Sequence, residues 1–351
     1  MTRFGIHLLS LAVVAGLSLT EVAAQEAIVG IPPESLNSRN MTIRSTTDID
    51  ILLPILEVFV ATNPTISLRY EQWGSNALYA NSLAACSGDA TSADVVFSSG
   101  VHQMIDLVNR ACASPYLSAE TAALPPSRRW RDELWGITKE PAVIIYNTEL
   151  VPEADAPRTR FQLLDLMRRP NAMYQGKIAT YDIEASGLGY LFAFMDSLEA
   201  TTFGALLEGF ARTGAVATCC SSEIIKGVAK GEYLIAYNVL GSYAGGVSSD
   251  EIGIIQPEDY TLFLSRSFMV PKGAARKTEA RLLLDFLLSA QGQYLLRAEG
   301  LVSDGINSPL SESARRPIPI EPTLLVASDQ HRRSLFIDLW RSAFARTANS
   351  E

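Results

Sequence analysis

The feature that most constrains this chain is a rhythm of short apolar segments alternating with amphipathic ones. Residues 41–45 alternate apolar and polar side chains, as a strand does. Residues 50–61 place Leu52, Ile55, Leu56, Phe59 and Val60 on one helical stripe. Ile66, Leu68 and Tyr70 alternate again, 76–85 reads as a helix, and 94–97 is a short buried strand. Val101, Met104, Ile105 and Val108 mark the next helix. Such β-α-β-α-β-α order builds a sheet of mostly parallel strands flanked by helices, because parallel neighbours need a crossover between them.

A second β/α set follows. Helices are expected at 161–167, 186–195, 201–213 and 223–230, with strands at 177–180 and 233–238. Helices at 278–288, 291–298 and 328–346 close the chain. Two long extended segments, near 138–147 and 260–270, divide the two sets. They read as strands crossing between lobes, which makes the fold class α/β with two lobes and a hinge. Lobe 1 is expected to comprise 41–137 plus about 260–300. Lobe 2 would comprise about 145–258 plus about 301–351, with 25–40 a flexible lead-in containing Pro32-Pro33. Ligands of open α/β sheets bind beyond the carboxyl ends of the strands, so two facing edges make a cleft at the lobe interface.

Residues 1–24 read as an export signal. Arg3 is followed by an apolar run to Leu19, and Val22-Ala23-Ala24 offers a small-residue cleavage site before Gln25. The run is short for a bilayer span. A periplasmic, soluble protein is expected. The formal charge is −9 and the sequence has no Lys/Arg cluster, which argues against nucleic acid and anionic membranes as partners. The oxidising compartment permits disulfides. Cys86 and Cys112 bracket a strand and a helix and are expected to pair, while the adjacent Cys219 and Cys220 either bridge or stay thiols. Beyond the signal only His102 and His331 remain, and no paired C-x-x-C occurs. No metal site of that kind and no cofactor is expected.

The strand ends are rich in hydroxyls. Strand 41–44 runs into Ser45-Thr46-Thr47, and strand 94–97 into Ser98-Ser99-Gly100. Strand 177–180 leads to Asp182 and then Ser186-Gly187 at a helix start, and Ser221-Ser222 precede another helix. Free N–H groups and the positive end of the helix dipole favour an anion at such places. Ordinary N-capping uses the same residues. The expected ligand-binding set adds Lys139 and Glu140 on the first crossing segment, and Asn238, Ser242 and Tyr243 after a lobe 2 strand. Lys139 would supply charge, and Glu140, Asp182, Asn238 and Tyr243 would read hydroxyls. Trp73-Gly74-Ser75-Asn76 is a further stretch near the cleft, where a packing Trp is the plainer reading.

Enzyme signatures are missing: no G-x-S-x-G, H-E-x-x-H, Walker loop or G-x-G-x-x-G occurs. The chain therefore reads as a binder. Its segment order over about 41–300 resembles the type II periplasmic binding proteins, and within them the ferric-iron ABC-transport group with its hexose-phosphate and organic-anion relatives. The resemblance rests on Thr42-Ile43-Arg44-Ser45-Thr46-Thr47, Ser92-Ala93-Asp94-Val95-Val96-Phe97 and Ala142-Val143-Ile144-Ile145-Tyr146-Asn147. Val228-Ala229-Lys230-Gly231-Glu232 and Phe268-Met269-Val270-Pro271-Lys272-Gly273 extend it, as does Leu284-Asp285-Phe286-Leu287-Leu288-Ser289 before Gln291-Gly292-Gln293. It implies hinged closure on a small anionic solute and delivery, as a monomer, to an inner-membrane ABC permease. A regulator presenting its ligand to a sensor kinase is the alternative role. The iron binders carry two adjacent tyrosines after the lobe 2 strand, and no Tyr-Tyr pair exists here. Iron, the alternative ligand, would have only Tyr243 at that point.

Overall fold

The computed structural model describes residues 25–31, 39–170, 172–246, 250–303 and 310–344. The expected export segment, 1–24, lies outside them. Within the expected lead-in, strand β1 (Gln25–Ile31) corrects the reading of a flexible segment. Its Val29 and Ile31 turn toward the lobe 1 core, and its backbone pairs with a neighbouring strand along 25–31. That burial orders a stretch whose prolines follow it.

The chain then runs through β2 (Arg39–Ser45), α1 (Ile49–Thr62), β3 (Ile66–Trp73), α2 (Ser75–Ser87), β4 (Val95–Ser98) and α3 (Val101–Asn109). Next come α4 (Ala119–Ala123), β5 (Arg129–Trp130), β6 (Leu134–Gly136), β7 (Glu140–Asn147), α5 (Arg160–Arg168) and β8 (Ile178–Tyr181). Then follow α6 (Gly187–Glu199), α7 (Phe203–Thr213), β9 (Val216–Thr218), α8 (Ser221–Ala229), β10 (Ile235–Leu240) and β11 (Ile252–Ile255). The chain closes with β12 (Thr261–Leu264), β13 (Ser267–Met269), α9 (Lys277–Leu288), α10 (Ala290–Ala298), β14 (Arg315–Pro317), α11 (Leu325–Ser328) and α12 (Gln330–Phe344).

Two sheets form two lobes. The first has the order β1-β3-β2-β4-β13-β6-β5, the second β14-β12-β7-β10-β8-β9 with β11 added on β7. Each is mixed. The crossover helices leave β3-β2-β4 and β10-β8-β9 parallel. The strands that arrive from the other lobe run antiparallel to their neighbours.

The crossings themselves are short. β6 belongs to the first sheet and β7 to the second, so the chain changes lobe over 137–139. It returns between β12 and β13, at Ser265-Arg266. These two connectors lie side by side. The Ile137 N–H donates to the Arg266 carbonyl at 2.9 Å, the Arg266 N–H to Thr138 Oγ1 at 2.8 Å, and Ser265 Oγ to the Thr138 carbonyl at 2.6 Å. The segment after α10 joins them through an isolated bridge, with the Lys139 N–H donating to the Leu301 carbonyl and the Ser303 N–H to the Lys139 carbonyl.

One apolar cluster fills lobe 1 around Phe59, Tyr70 and Leu284, and another fills lobe 2 around Leu163, Phe210 and Trp340. A further cluster spans both, packing Leu78, Val96 and Met104 with Val143, Leu191 and Ile318. The C-terminal segment contributes across the interface as well: Ser328 Oγ, at the end of α11, donates to the His102 carbonyl on α3.

Cys86 and Cys112 are bonded, joining the end of α2 to the residue run after α3 with Cα atoms 5.3 Å apart. Their separation of 26 residues gives a chain-entropy stabilisation of about 3 kcal/mol. Replacing both by Ala should lower the unfolding free energy by about that amount in a urea titration. A second expectation concerns acid. His102 is fully buried on α3, its Nδ1 lacks a partner, and burial, helped by Arg333, drives its pKa down to about 3. An unfolded His takes up a proton near pH 6.5, whereas the folded one stays neutral. Stability is therefore complete above about pH 6.5 and falls as the pH drops from there toward 3. His102→Gln should flatten that slope in denaturation midpoints measured between those values.

Candidate functional site

The two lobes face each other across a cleft of about 110 Å³. Lobe 1 contributes Thr46, Asp48, Gln72, Trp73, Gly74, Ser75 and Ser99, with Glu26 of β1 at the rim. Lobe 2 contributes Tyr181, Ala185, Ser186, Leu188, Cys219, Cys220, Ser221, Ser222 and Tyr243. No Lys or Arg lines it among the described residues.

What converges on the cleft is helix N-termini. The N-cap residues of α1, α2, α6 and α8 are Asp48, Gly74, Ser186 and Cys220, and all four line the cleft. Each helix is long enough to carry a dipole, and each leaves its first N–H groups without an intrahelical acceptor. Ser186 takes one of these, accepting from the Gly189 N–H at 3.0 Å. The N-cap residues of α1, α2 and α8 make no capping bond through their own side chains. Chain order explains the arrangement: β2, β3, β8 and β9 each lead directly into one of these helices, α1, α2, α6 and α8, so the turns gather at the sheet edges.

Thr46 and Ser99 form one wall. Their hydroxyls are 3.0 Å apart, and the Ser99 N–H donates to Thr46 Oγ1 at 2.9 Å. Opposite, the Tyr181 hydroxyl is hydrogen-bonded to Ser221 Oγ and accepts from the Leu240 N–H at 3.3 Å. Tyr243 reaches across the gap, donating to the Thr46 carbonyl at 3.4 Å. Burial raises the pKa of both phenols. Burial also pushes the Asp48 carboxyl up, with the Arg266 guanidinium opposing it. Gln72 holds the start of α1, accepting from the Ile49 N–H at 3.0 Å.

The lobes touch at the edge of the cleft. Asn76 Nδ2 donates to the carbonyls of Glu184 and Ala185 at 2.7 and 3.0 Å, and the Gly187 N–H donates to Ser75 Oγ at 2.8 Å. A side chain at position 187 would meet the Gln103 amide at 2.8 Å, which would have to move aside.

Of the expected ligand-binding residues, Thr46, Ser99, Ser186 and Tyr243 line the cleft. Gly187 sits beside it in the interlobe contact. Ser45, Thr47, Ser98 and Ser242 are buried behind it: Ser45 accepts from the Thr47 N–H, and Ser98 from the Gly100 N–H. Asp182 caps the turn before α6, accepting from the Glu184 and Ala185 N–H groups. Three expectations are corrected. Lys139 lies off the cleft, its ammonium 5.9 Å from the Phe263 ring centre, its backbone held by the bridge to Val302. Asn238 bulges β10 with a positive φ of 64°, which turns its amide inward to Asp196 at 2.9 Å.

Glu140 is the third. It is fully buried and pairs in bidentate fashion with the equally buried Arg266, at 2.8 and 3.2 Å. Thr138 Oγ1 donates to it at 2.6 Å, as does Ser242 Oγ. Arg266 in turn donates to Thr47 Oγ1 at 2.9 Å. The pair is the floor beneath the cleft, tying both connectors to both lobes. Asp48, Gln72 and Tyr181 were missed by sequence reasoning. Tyr181 ends β8, so the strand-end rule could have found it. Arg266 carried no local signal, since its partner is 126 residues away.

Residues 45–294 match the family model of bacterial extracellular solute-binding proteins. No curated protein sequence matches the chain. Among solved structures it is similar to the substrate binding protein of an ABC transporter from Agrobacterium tumefaciens, at 29% identity and a TM-score of 0.85, covering 91% of this chain and 98% of that one. The fold also matches the periplasmic binding protein AfuA from Actinobacillus pleuropneumoniae, determined with fructose-6-phosphate, at 15% identity and a TM-score of 0.68 over 88% and 99% of the two chains. Iron-bound HitA from Pseudomonas aeruginosa matches at 18% identity and 0.66 over 86% and 99%.

Removing Glu140 would leave a buried guanidinium without its carboxylate. Glu140→Ala should cost about 3–5 kcal/mol of unfolding free energy, read by urea denaturation, and Glu140→Gln less, because it keeps one hydrogen-bond acceptor.

Proposed function

This chain belongs to the bacterial extracellular solute-binding proteins, and from that premise we propose that it captures a small phosphorylated sugar or organic acid in the periplasm for an ABC importer. The observation that carries the ligand class is the meeting of four helix N-termini in a cleft free of Lys and Arg among the described residues. Backbone N–H groups and the hydroxyls of Thr46, Ser99, Ser186, Ser221 and Ser222 bind oxyanion oxygens without a paired cation. Asp48 and Gln72 then accept and donate to the solute's hydroxyls. The importer assignment follows the Agrobacterium relative, which is a substrate binding protein of an ABC transporter. The signal-like segment before Gln25 fits a periplasmic location.

Closure buries the solute. The connectors at 137–139 and Ser265-Arg266 are the short segments about which the lobes would turn. The Asn76 and Gly187 contacts then hold the shut form. A solute so held would be released unchanged.

Ferric iron is the second reading, since Tyr181, Tyr243 and Asp48 share the cleft. Both phenols already have hydrogen-bond partners, and burial holds their protons on. A metal would have to displace both protons, so the oxyanion reading is preferred.

A thermal-shift series with fructose 6-phosphate, citrate, inorganic phosphate and Fe³⁺ separates the two. Stabilisation by at least one of the organic anions is expected. A response to Fe³⁺ alone, with a visible charge-transfer band, would overturn the ligand class. Thr46→Val should weaken binding of the stabilising anion about tenfold, the loss of one hydrogen bond worth about 1.4 kcal/mol, measured by calorimetric titration.

A further inference from the structure

The adjacent cysteines are joined, Cys219 to Cys220. Both residues line the cleft and both are partly exposed there. They follow β9 directly, where the Thr218 carbonyl accepts from the Asp182 N–H at 2.7 Å. Cys220 is also the N-cap residue of α8. Its carbonyl accepts the first helical hydrogen bond, from the Ile224 N–H at 3.0 Å.

This is an unusual cap. Ser, Thr, Asp and Asn dominate the position because their oxygens accept a first-turn N–H. A cystine sulfur is a poor acceptor, and no side chain caps α8. Its first N–H groups are thus left to the cleft, where a solute oxygen can take them. A free Cys-Cys turn would keep many backbone conformations. A ring closed between neighbouring side chains removes most of them, so the turn that aims α8 costs less entropy on binding.

We infer that the Cys219–Cys220 cystine is a positioning element of the solute site: it fixes the turn that directs the α8 N-terminus, with Ser221 and Ser222, at the bound anion. Reduction therefore weakens binding without unfolding the protein. The inference rests on the reading of the cleft as an oxyanion site.

The test uses the full secreted chain in three forms: oxidised, treated with a trialkylphosphine, and Cys219→Ser/Cys220→Ser with the Cys86–Cys112 bridge intact. The phosphine becomes its oxide, taking oxygen from water, while the S–S bond accepts two electrons and two protons to give two thiols. Mass spectrometry after alkylation reports which bridges are open. Phosphine added to the double-serine variant reports the effect of losing Cys86–Cys112 alone. The probes are fructose 6-phosphate and inorganic phosphate. The oxidised protein is expected to bind its better probe at least tenfold more tightly than the double-serine variant, with cooperative thermal unfolding retained in both. Amide exchange at Ile224 in the ligand-free protein should be several-fold faster in the double-serine variant. Equal affinities, or equal exchange at Ile224, would overturn the inference. If the oxidised protein binds neither probe, the ligand class proposed above fails, and exchange at Ile224 still decides the positioning role.

Discussion

The buried Arg266–Glu140 pair is the constraint on which the rest of the structure depends. A guanidinium and a carboxylate with essentially no solvent exposure must satisfy each other and every remaining donor and acceptor. Here that requirement is met by groups from four places: Thr138 on the first connector, Arg266 on the second, Thr47 at the end of β2, and Ser242 after β10. The network only closes when both connectors lie side by side and both lobes meet at their strand ends. The cleft exists because this floor is there.

Above the floor the chemistry changes character. The Arg266 guanidinium is spent on Glu140, and the carboxyl of Asp48 is pushed toward its neutral form by burial. For the proposed anionic solute, attraction would fall to dipoles and hydroxyls. These are short-ranged and directional, so they select for shape and for oxygen geometry rather than for net charge. Closing the lobes strengthens them by excluding water. The Asn76 and Gly187 contacts span the same gap, so in the proposed hinged closure they would form together with the site.

Much of this was legible beforehand. The alternation at 41–45, 66–70 and 94–97 and the stripe Leu52-Ile55-Leu56-Phe59-Val60 correspond to β2, β3, β4 and α1, and the Cys86–Cys112 pairing is present. The turns at Thr46, Ser99, Ser186 and Ser221 lie on the cleft because strand ends in such sheets share one edge. The edge strand β1 was hidden by the prolines after it, although Ala27, Val29 and Ile31 alternate.

The sequence by itself determined the α/β class, the two-lobe division and the hydroxyl turns that start the helices, since these follow from periodicity and from preferences acting over a few residues. Only the tertiary structure decided which polar groups face the solute. Glu140 was committed to Arg266, Asn238 to Asp196, and the Lys139 backbone to the segment at Val302, each by a partner more than 40 residues away along the chain. A buried polar group goes to whatever partner the packed chain brings within hydrogen-bond reach, and no local pattern encodes that meeting.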